Sequence, residues 1–337
     1  MTPVPSGSRG WSHPLLVAAA LGPDMSDLAA DRIYAERGET TVAFVAAEAG
    51  VVAVEVAGDR VGRFRFDRRC TARDVAAGTD RVAVATDEDV LVRRVGEDAT
   101  GGNGGAGEDG SPGDGDPYAP TDHGPAVAVG VDDGAVVAAD ADGRIARRVD
   151  GEWFEIATVD APVRAVDGPF VAAGDGVYRV TPDGLDEVGL DDARDVAAAG
   201  PYVATGGGLY ELGNGWLCAH EGAFDAVAAD PRVRTRAHAA AGGELYARGD
   251  SDGRGSPNGG NTGEGGTWTP TDAPDRGQVA GIAHGPPPGE GVGAVYAVTV
   301  DGTVLAGARE TADDPAGGWR TRSLGVPGVG GIAIPRR

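Results

Sequence analysis

The stretch Val163–Leu190 reads VRAVDGPFVAAGDGVYRVTPDGLDEVGL. It holds four short apolar runs, VRAV, FVAA, VYRV and LDEVGL, separated by DGP, GDG and TPDG. Each separator is a turn with a mechanism: Gly supplies positive φ, Pro fixes φ, and Asp hydrogen-bonds its own backbone. Runs this short, at this spacing, are strands joined by tight turns, and four of them in succession make one antiparallel meander.

The rest of the chain repeats this unit. The hexapeptide ARDVAA occurs at Ala72–Ala77 and again at Ala193–Ala198. A hairpin of common form, an apolar run ending in Ala or Thr, then turn residues, then a new apolar pair, recurs at Phe44–Val54, Ala83–Arg93, Phe170–Val180, Tyr202–Leu212 and His238–Arg248. Trp153, Trp216, Trp268 and Trp319 each follow a Gly-containing turn, which places them at the start of a unit's outer strand. First strands begin near Ala72, Pro125, Val163, Ala193, Phe224 and Val279, and a further first-strand match, Gly328–Pro335, is the last thing in the chain. Thr41–Phe66 has the later strands of a unit and no first strand. The two ends therefore complement each other, as in a closed propeller whose last strand completes its first blade and leaves no edge open. The expectation is an all-β, seven-bladed β-propeller of four-stranded antiparallel blades, with six blades as the alternative because Phe224–Pro270 is a weak copy. No helix of any length is expected.

Two Gly/Asp-rich segments, at about 96–123 and 249–266, have too few apolar side chains to offset their ordering entropy and are expected to be disordered loops. Residues 1–30 are expected to be a poorly packed extension, with the natural start at Met25 and the propeller spanning 31–337. Leu15–Leu21 is apolar but lacks the basic flank of a signal peptide.

Charge sets the habitat and excludes partners. The net charge is −23, and all 29 basic residues are Arg, with no Lys. An acidic surface of this kind repels itself in dilute buffer and is screened at about 1 M salt, where the Debye length is roughly 3 Å. The expectation is a halophilic, cytoplasmic monomer. Nucleic acid and anionic membrane are not expected partners, because both need a basic footprint. Cys70 and Cys218 are expected to be free thiols.

The search for chemistry gives little. Motifs for nucleophilic, zinc or nucleotide chemistry are absent, and no catalytic residue, metal site or cofactor is assigned. Of the five His, His123 and His284 sit near ends of first strands and could reach an axial channel, but their blades are not neighbours. Cys218 and His220 share one strand. What remains is the face of the disc onto which the loops leading into first strands and the second-to-third turns open. It would carry Arg73, Asp74, Arg164, Arg194 and Asp195, with Glu88 and Asp175 near them, as a binding face for a protein partner or small polar ligand. The other reading of the same residues is that the Arg and Asp of ARDV tie adjacent blades together by ion pairs.

The Trp-bearing turn Thr262–Trp268 resembles, one residue short, the Asp-box hairpin of sialidase-like propellers, which is structural there. The catalytic groups of sialidases have no counterparts here. The opening DRIYAERGETTVAFVAAEAGVVAVEV, its continuation VGRFRFDRRCTARDVAAG and the Lys-free composition resemble a haloarchaeal β-propeller family over roughly Asp31 to Pro335. That resemblance implies a propeller with a start near Met25 and brings no activity with it. The functional expectation is a non-enzymatic binding or scaffold protein. A propeller-type hydrolase or lyase on a sugar-like substrate, and a small-ligand or metal sensor, are the alternatives.

Overall fold

Every apolar run pairs antiparallel with the next one in sequence, and the pairing stops and restarts after each fourth strand. A computed structural model describes residues 40–95, 116–233, 235–249, 266–287, 293–307 and 318–336. Among them are seven four-stranded sheets. Blades 2 to 7 begin with the inner strands Ala72–Ala77, Ala128–Asp132, Val163–Asp167, Ala193–Ala197, Ala226–Ala229 and Val279–His284. Blade 1 takes its inner strand from the other end of the chain: Val329–Ala333 pairs with Thr41–Ala47, with Phe44 opposite Ala333 and Val45 opposite Ile332. The ring is closed by this pairing, and the seven-bladed propeller expected from the repeats is what forms. Blade 6, the weak copy, has a full set of four strands, its outer one being the short Trp268–Pro270.

The core is built between blades rather than within them. The fourth residue of the inner-strand repeat is β-branched in all seven blades: Val75, Val129, Val166, Val196, Val227, Ile282 and Ile332. All seven are buried. They ring the axis at one level, where only stiff side chains of small cross-section fit a sevenfold packing. Second strands are nearly all Val and Ala, and segments such as Val82–Ala85 and Val136–Ala139 are buried on both faces. Thin side chains let neighbouring sheets approach closely, which explains the Ala- and Val-rich composition.

The tryptophans serve the outer packing. Trp216 begins its outer strand, and its indole Nε1 donates to the carbonyl of Val188 in the outer strand of the preceding blade (2.6 Å). Trp153 donates likewise to the carbonyl of Thr121 (3.0 Å). Trp268 is buried edge-on against Tyr202 of the blade before it, 5.4 Å between centroids. One position in the repeat thus ties each such blade to its predecessor.

Residues 1–30 and Met25 lie outside the described residues, as do 96–115 and 250–265 of the two glycine-rich segments. The first of those loops is shorter than expected. Residues 116–123 are described and supply the outer strand of blade 2, Ala119–Pro120. The anchor is Asp89. Its carboxylate accepts the backbone N–H groups of Val90, Thr121, Asp122, His123 and Gly124 at 2.7–3.1 Å. Burial acts to raise the Asp89 pKa, but these donors outweigh it and hold the carboxyl below the usual range.

Candidate functional site

The axial channel and its upper rim, the face onto which the loops entering the inner strands open, bring together most of the residues singled out by the repeats. The device that arranges them is a β-bulge. Register slips by one residue between Ala72 and Asp74, between Val163 and Ala165, and between Ala193 and Asp195. The unpaired residue in each case is the Arg: Arg73, Arg164 or Arg194. A bulge bends its strand and re-aims side chains. Here it puts the Arg on the rim and the next residue, Asp74 or Asp195, toward the channel.

Those two aspartates are not free ligands. Asp195 accepts the N–H of Val196 in its own strand (2.8 Å) and, through its other oxygen, the N–H of Val227 in the next blade (2.8 Å). Asp74 does the same with Val75 (2.8 Å) and Val129 (2.9 Å). Asp167, one turn lower in blade 4, accepts the N–H of Ala198 in blade 5 (2.8 Å). Inner strands are edge strands facing the axis, so their outward N–H groups lack ladder partners. Each aspartate supplies one such partner across a blade boundary. The inter-blade role foreseen for ARDV is present, but the aspartate binds backbone N–H groups and not an arginine. Burial raises Asp195 to about 7 and Asp74 to about 6, against the opposing pull of their N–H donors. Asp167 is raised too, by burial first, with Arg336 pulling it back.

The arginines form a separate ladder along the rim. Arg164 Nη1 donates to Asp192 Oδ1 (2.6 Å) and to the carbonyl of Ala193 (3.1 Å). Arg194 spans from Asp192 Oδ2 (3.5 Å) to Asp225 Oδ1 (2.9 Å). Asp225 in turn accepts the N–H of Gly242 (2.9 Å). Blades 4, 5 and 6 are stitched by this chain of alternating charge. Arg73, by contrast, is exposed and has no ion-pair or hydrogen-bond partner among the described residues. Glu88 and Asp175 stand exposed at the tips of second-to-third turns on blades 2 and 4, Asp175 accepting from the hydroxyl of Tyr178. The fold splits the residues singled out by the repeats into a blade-tying set and an outward set.

The channel itself is narrow. Its cavity is about 240 Å³, below the roughly 300–1,000 Å³ of pockets that enclose drug-sized ligands. Its lower end holds a group that sequence reading missed. His238 Nδ1 lies 2.9 Å from His284 Nε2, both rings buried. One ring must donate and the other accept, so at least the accepting ring is neutral in this contact. Burial, with Arg236 nearby, takes His238 down to about 3, and burial, His238, Arg236 and Arg232 hold His284 well below its usual range. Asp230 receives Arg236 (2.9 Å) and Arg232 (3.5 Å), and Arg232 reaches across to the carbonyl of Gly285 in blade 7 (3.2 Å). The signal that could have found this pair is adjacency of the last two units, since His238 opens one unit's second strand and His284 ends the next unit's first. Among the described residues, no group of three or more His, Cys, Asp or Glu could hold a metal ion. His123 does not line the channel; it packs edge-on against Trp153, 4.5 Å between centroids. Cys70 and Cys218 are free thiols, and His220 packs against Phe224 and Tyr246 rather than pairing with Cys218.

No helix among the described residues is long and apolar enough to cross a membrane. Among curated proteins, none matches this sequence. Similar solved structures include a chain of a mitotic checkpoint complex (TM-score 0.51, 12% identity, covering 97% of this chain and 93% of that one). Another is the WD40 β-propeller domain of Doa1 (TM-score 0.50, 13% identity, covering 77% of this chain and 84% of that one). At such identities the likeness shows the fold alone. The family model for HVO_0234-like β-propellers matches residues 27–335, nearly the whole of the described propeller, so the chain belongs to the HVO_0234-like β-propeller family.

Proposed function

We propose that this protein is a non-enzymatic binding or scaffold propeller that engages a protein partner or small polar ligand through the rim carrying Arg73, Glu88 and Asp175. The observation behind this reading is how the polar groups are divided. The three channel acids spend their oxygens on backbone N–H groups of adjacent blades. Arg164 and Arg194 are consumed by Asp192 and Asp225. A hydrolase needs a carboxylate free to accept or deliver a proton at a substrate atom, within hydrogen-bond reach of it. The channel offers carboxylates that are already engaged, in a cavity too small for a sugar chain. Arg73, Glu88 and Asp175, which make no ion pair among the described residues, lie on the open rim, which suits a partner's surface. Acid excess with Arg as the sole cation suits a high-salt cytoplasm.

The test is affinity capture from lysate at molar salt, comparing wild type with an Arg73→Glu/Glu88→Arg variant, alongside turnover on a chromogenic glycoside panel. The expected result is a partner recovered by wild type and lost in the variant. Glycoside turnover abolished by Asp195→Asn would overturn the reading in favour of a hydrolase.

A further inference from the structure

The outer wall at the junction of blades 1 and 7 departs from the rest of this acidic protein. The outer strand of blade 1, Arg60–Arg68, is the edge of its sheet. Over the ten residues 60–69, RVGRFRFDRR, it carries five Arg and one Asp, in a chain of net charge −23. Ring closure places the outer strand of blade 7, Trp319–Ser323, beside it and adds Arg320 and Arg322. Phe64 and Phe66 are 38% and 40% exposed in the midst of these arginines. Arg322 lies over the Phe64 ring (5.2 Å) and Arg69 over the Phe66 ring (4.5 Å).

Some of this charge is answered locally. Arg63 meets Glu55, Arg65 meets Asp67, Arg68 meets Asp116 and Arg320 meets Asp59. Arg60, Arg69 and Arg322 have no carboxylate partner among the described residues. Among the described residues no strand pairs with the far edge of Arg60–Arg68, and along it the Val61 carbonyl is met by a side chain, Arg322 Nη1 (3.1 Å). An open edge suits strand addition, in which main-chain bonds give affinity and contacts to alternate side chains give specificity; here the unmet cations and the two part-exposed rings beside the edge supply those side-chain contacts.

We propose that this wall is a second docking surface, for an extended acidic segment of a partner protein. The segment adds a strand to the edge at Phe64–Arg68, seats an apolar side chain between Phe64 and Phe66, and delivers carboxylates to Arg60, Arg69 and Arg322. Charge complementarity selects this occupant. A twofold pairing with a second copy brings arginine against arginine. A nucleic acid needs a run of uncommitted cations, whereas four of the seven arginines here are already paired. The surface is distinct from the channel rim and does not depend on the function proposed for it.

The test uses a fluorescein-labelled nonapeptide with six carboxylates, one Phe and one Leu, read by fluorescence anisotropy against the full chain at molar salt. A basic peptide of the same pattern and a nine-nucleotide oligothymidylate are the comparisons. The expected result is saturable binding of the acidic peptide alone, weakened tenfold or more by Phe64→Ser/Phe66→Ser and by Arg60→Glu/Arg322→Glu, and unchanged by Phe154→Ser on the outer strand of blade 3. All five side chains are exposed, so thermal midpoints should match wild type and separate lost binding from lost folding. No binding, binding indifferent to both double variants, or oligothymidylate binding that the variants abolish would each overturn the proposal.

Discussion

The inter-blade aspartates make a prediction with a sign. Asp195 is raised from the ordinary carboxylate range to about 7, chiefly by burial. A group whose folded pKa exceeds its unfolded value contributes stability that is fully present below the unfolded pKa, about 4, and is lost as pH rises through the folded pKa. The window is therefore pH 4 to 7. A rise of about three units at 1.36 kcal/mol each sets a ceiling of ~4 kcal/mol lost across it. Asp195→Ala removes this titration and also leaves the N–H groups of Val196 and Val227 without their acceptor. An unsatisfied buried donor costs about 1–3 kcal/mol, and water entering the channel can relieve part of it. The expected outcome is a variant about 2–4 kcal/mol less stable than wild type near pH 5, with the deficit shrinking toward zero by pH 8. Asp74 and Asp167 titrate in both proteins and cancel only in part, because their charges also help to raise Asp195. The assay is denaturant unfolding followed by tryptophan fluorescence at fixed molar salt, from pH 4.5 to 8.5, with Asp195→Asn as a non-titrating companion. A deficit that stays constant or grows with pH would refute the account of Asp195 as a buried carboxyl held by backbone donors.

Other predictions follow from the same structure. Asp89 has the opposite sign: its lowered pKa means that the stability it contributes is present above about pH 4 and lost as pH falls through its folded pKa, so Asp89→Asn should cost about 2–3 kcal/mol at pH 7 and less in acid. Hydrogen exchange at Thr121–Gly124 would report it. Ile332, buried in the closing strand, should cost about 2–5 kcal/mol as Ile332→Ala, and truncation after Leu324 should leave Thr41–Ala47 without its inner-strand partner and abolish cooperative melting. Arg194→Ala, which breaks the ladder between Asp192 and Asp225, should cost about 1 kcal/mol, whereas Arg73→Ala should change the unfolding midpoint negligibly. Lowering KCl from about 2 M to tens of millimolar should unfold the protein cooperatively, because the self-repulsion of 23 excess negative charges is then unscreened; a melting midpoint indifferent to salt would contradict this.

Much of the architecture was legible because it is periodic. Turn residues at fixed offsets, the recurrent Ala–Arg–Asp–Val, the tryptophan after each glycine turn and the orphan strand Gly328–Pro335 specify strand order, blade number and ring closure without any distance being known. Those signals are local, and local propensity and turn chemistry decide them. The candidate site was legible only as far as its level in the disc. Whether Asp195 points outward as a ligand or inward as a tie depends on one unpaired residue, Arg194, since a slip of one in a strand of period two exchanges the faces. The Arg–Phe wall needed closure as well: Arg322 and Phe64 are far apart in sequence and meet only because the last blade packs against the first. The same holds for His238 and His284, brought to 2.9 Å by the packing of neighbouring sheets. Sequence by itself determined the repeat and its closure. The tertiary structure alone decided which charges are used up holding blades together and which are left facing outward, because that depends on bulges and blade contacts that no single repeat contains.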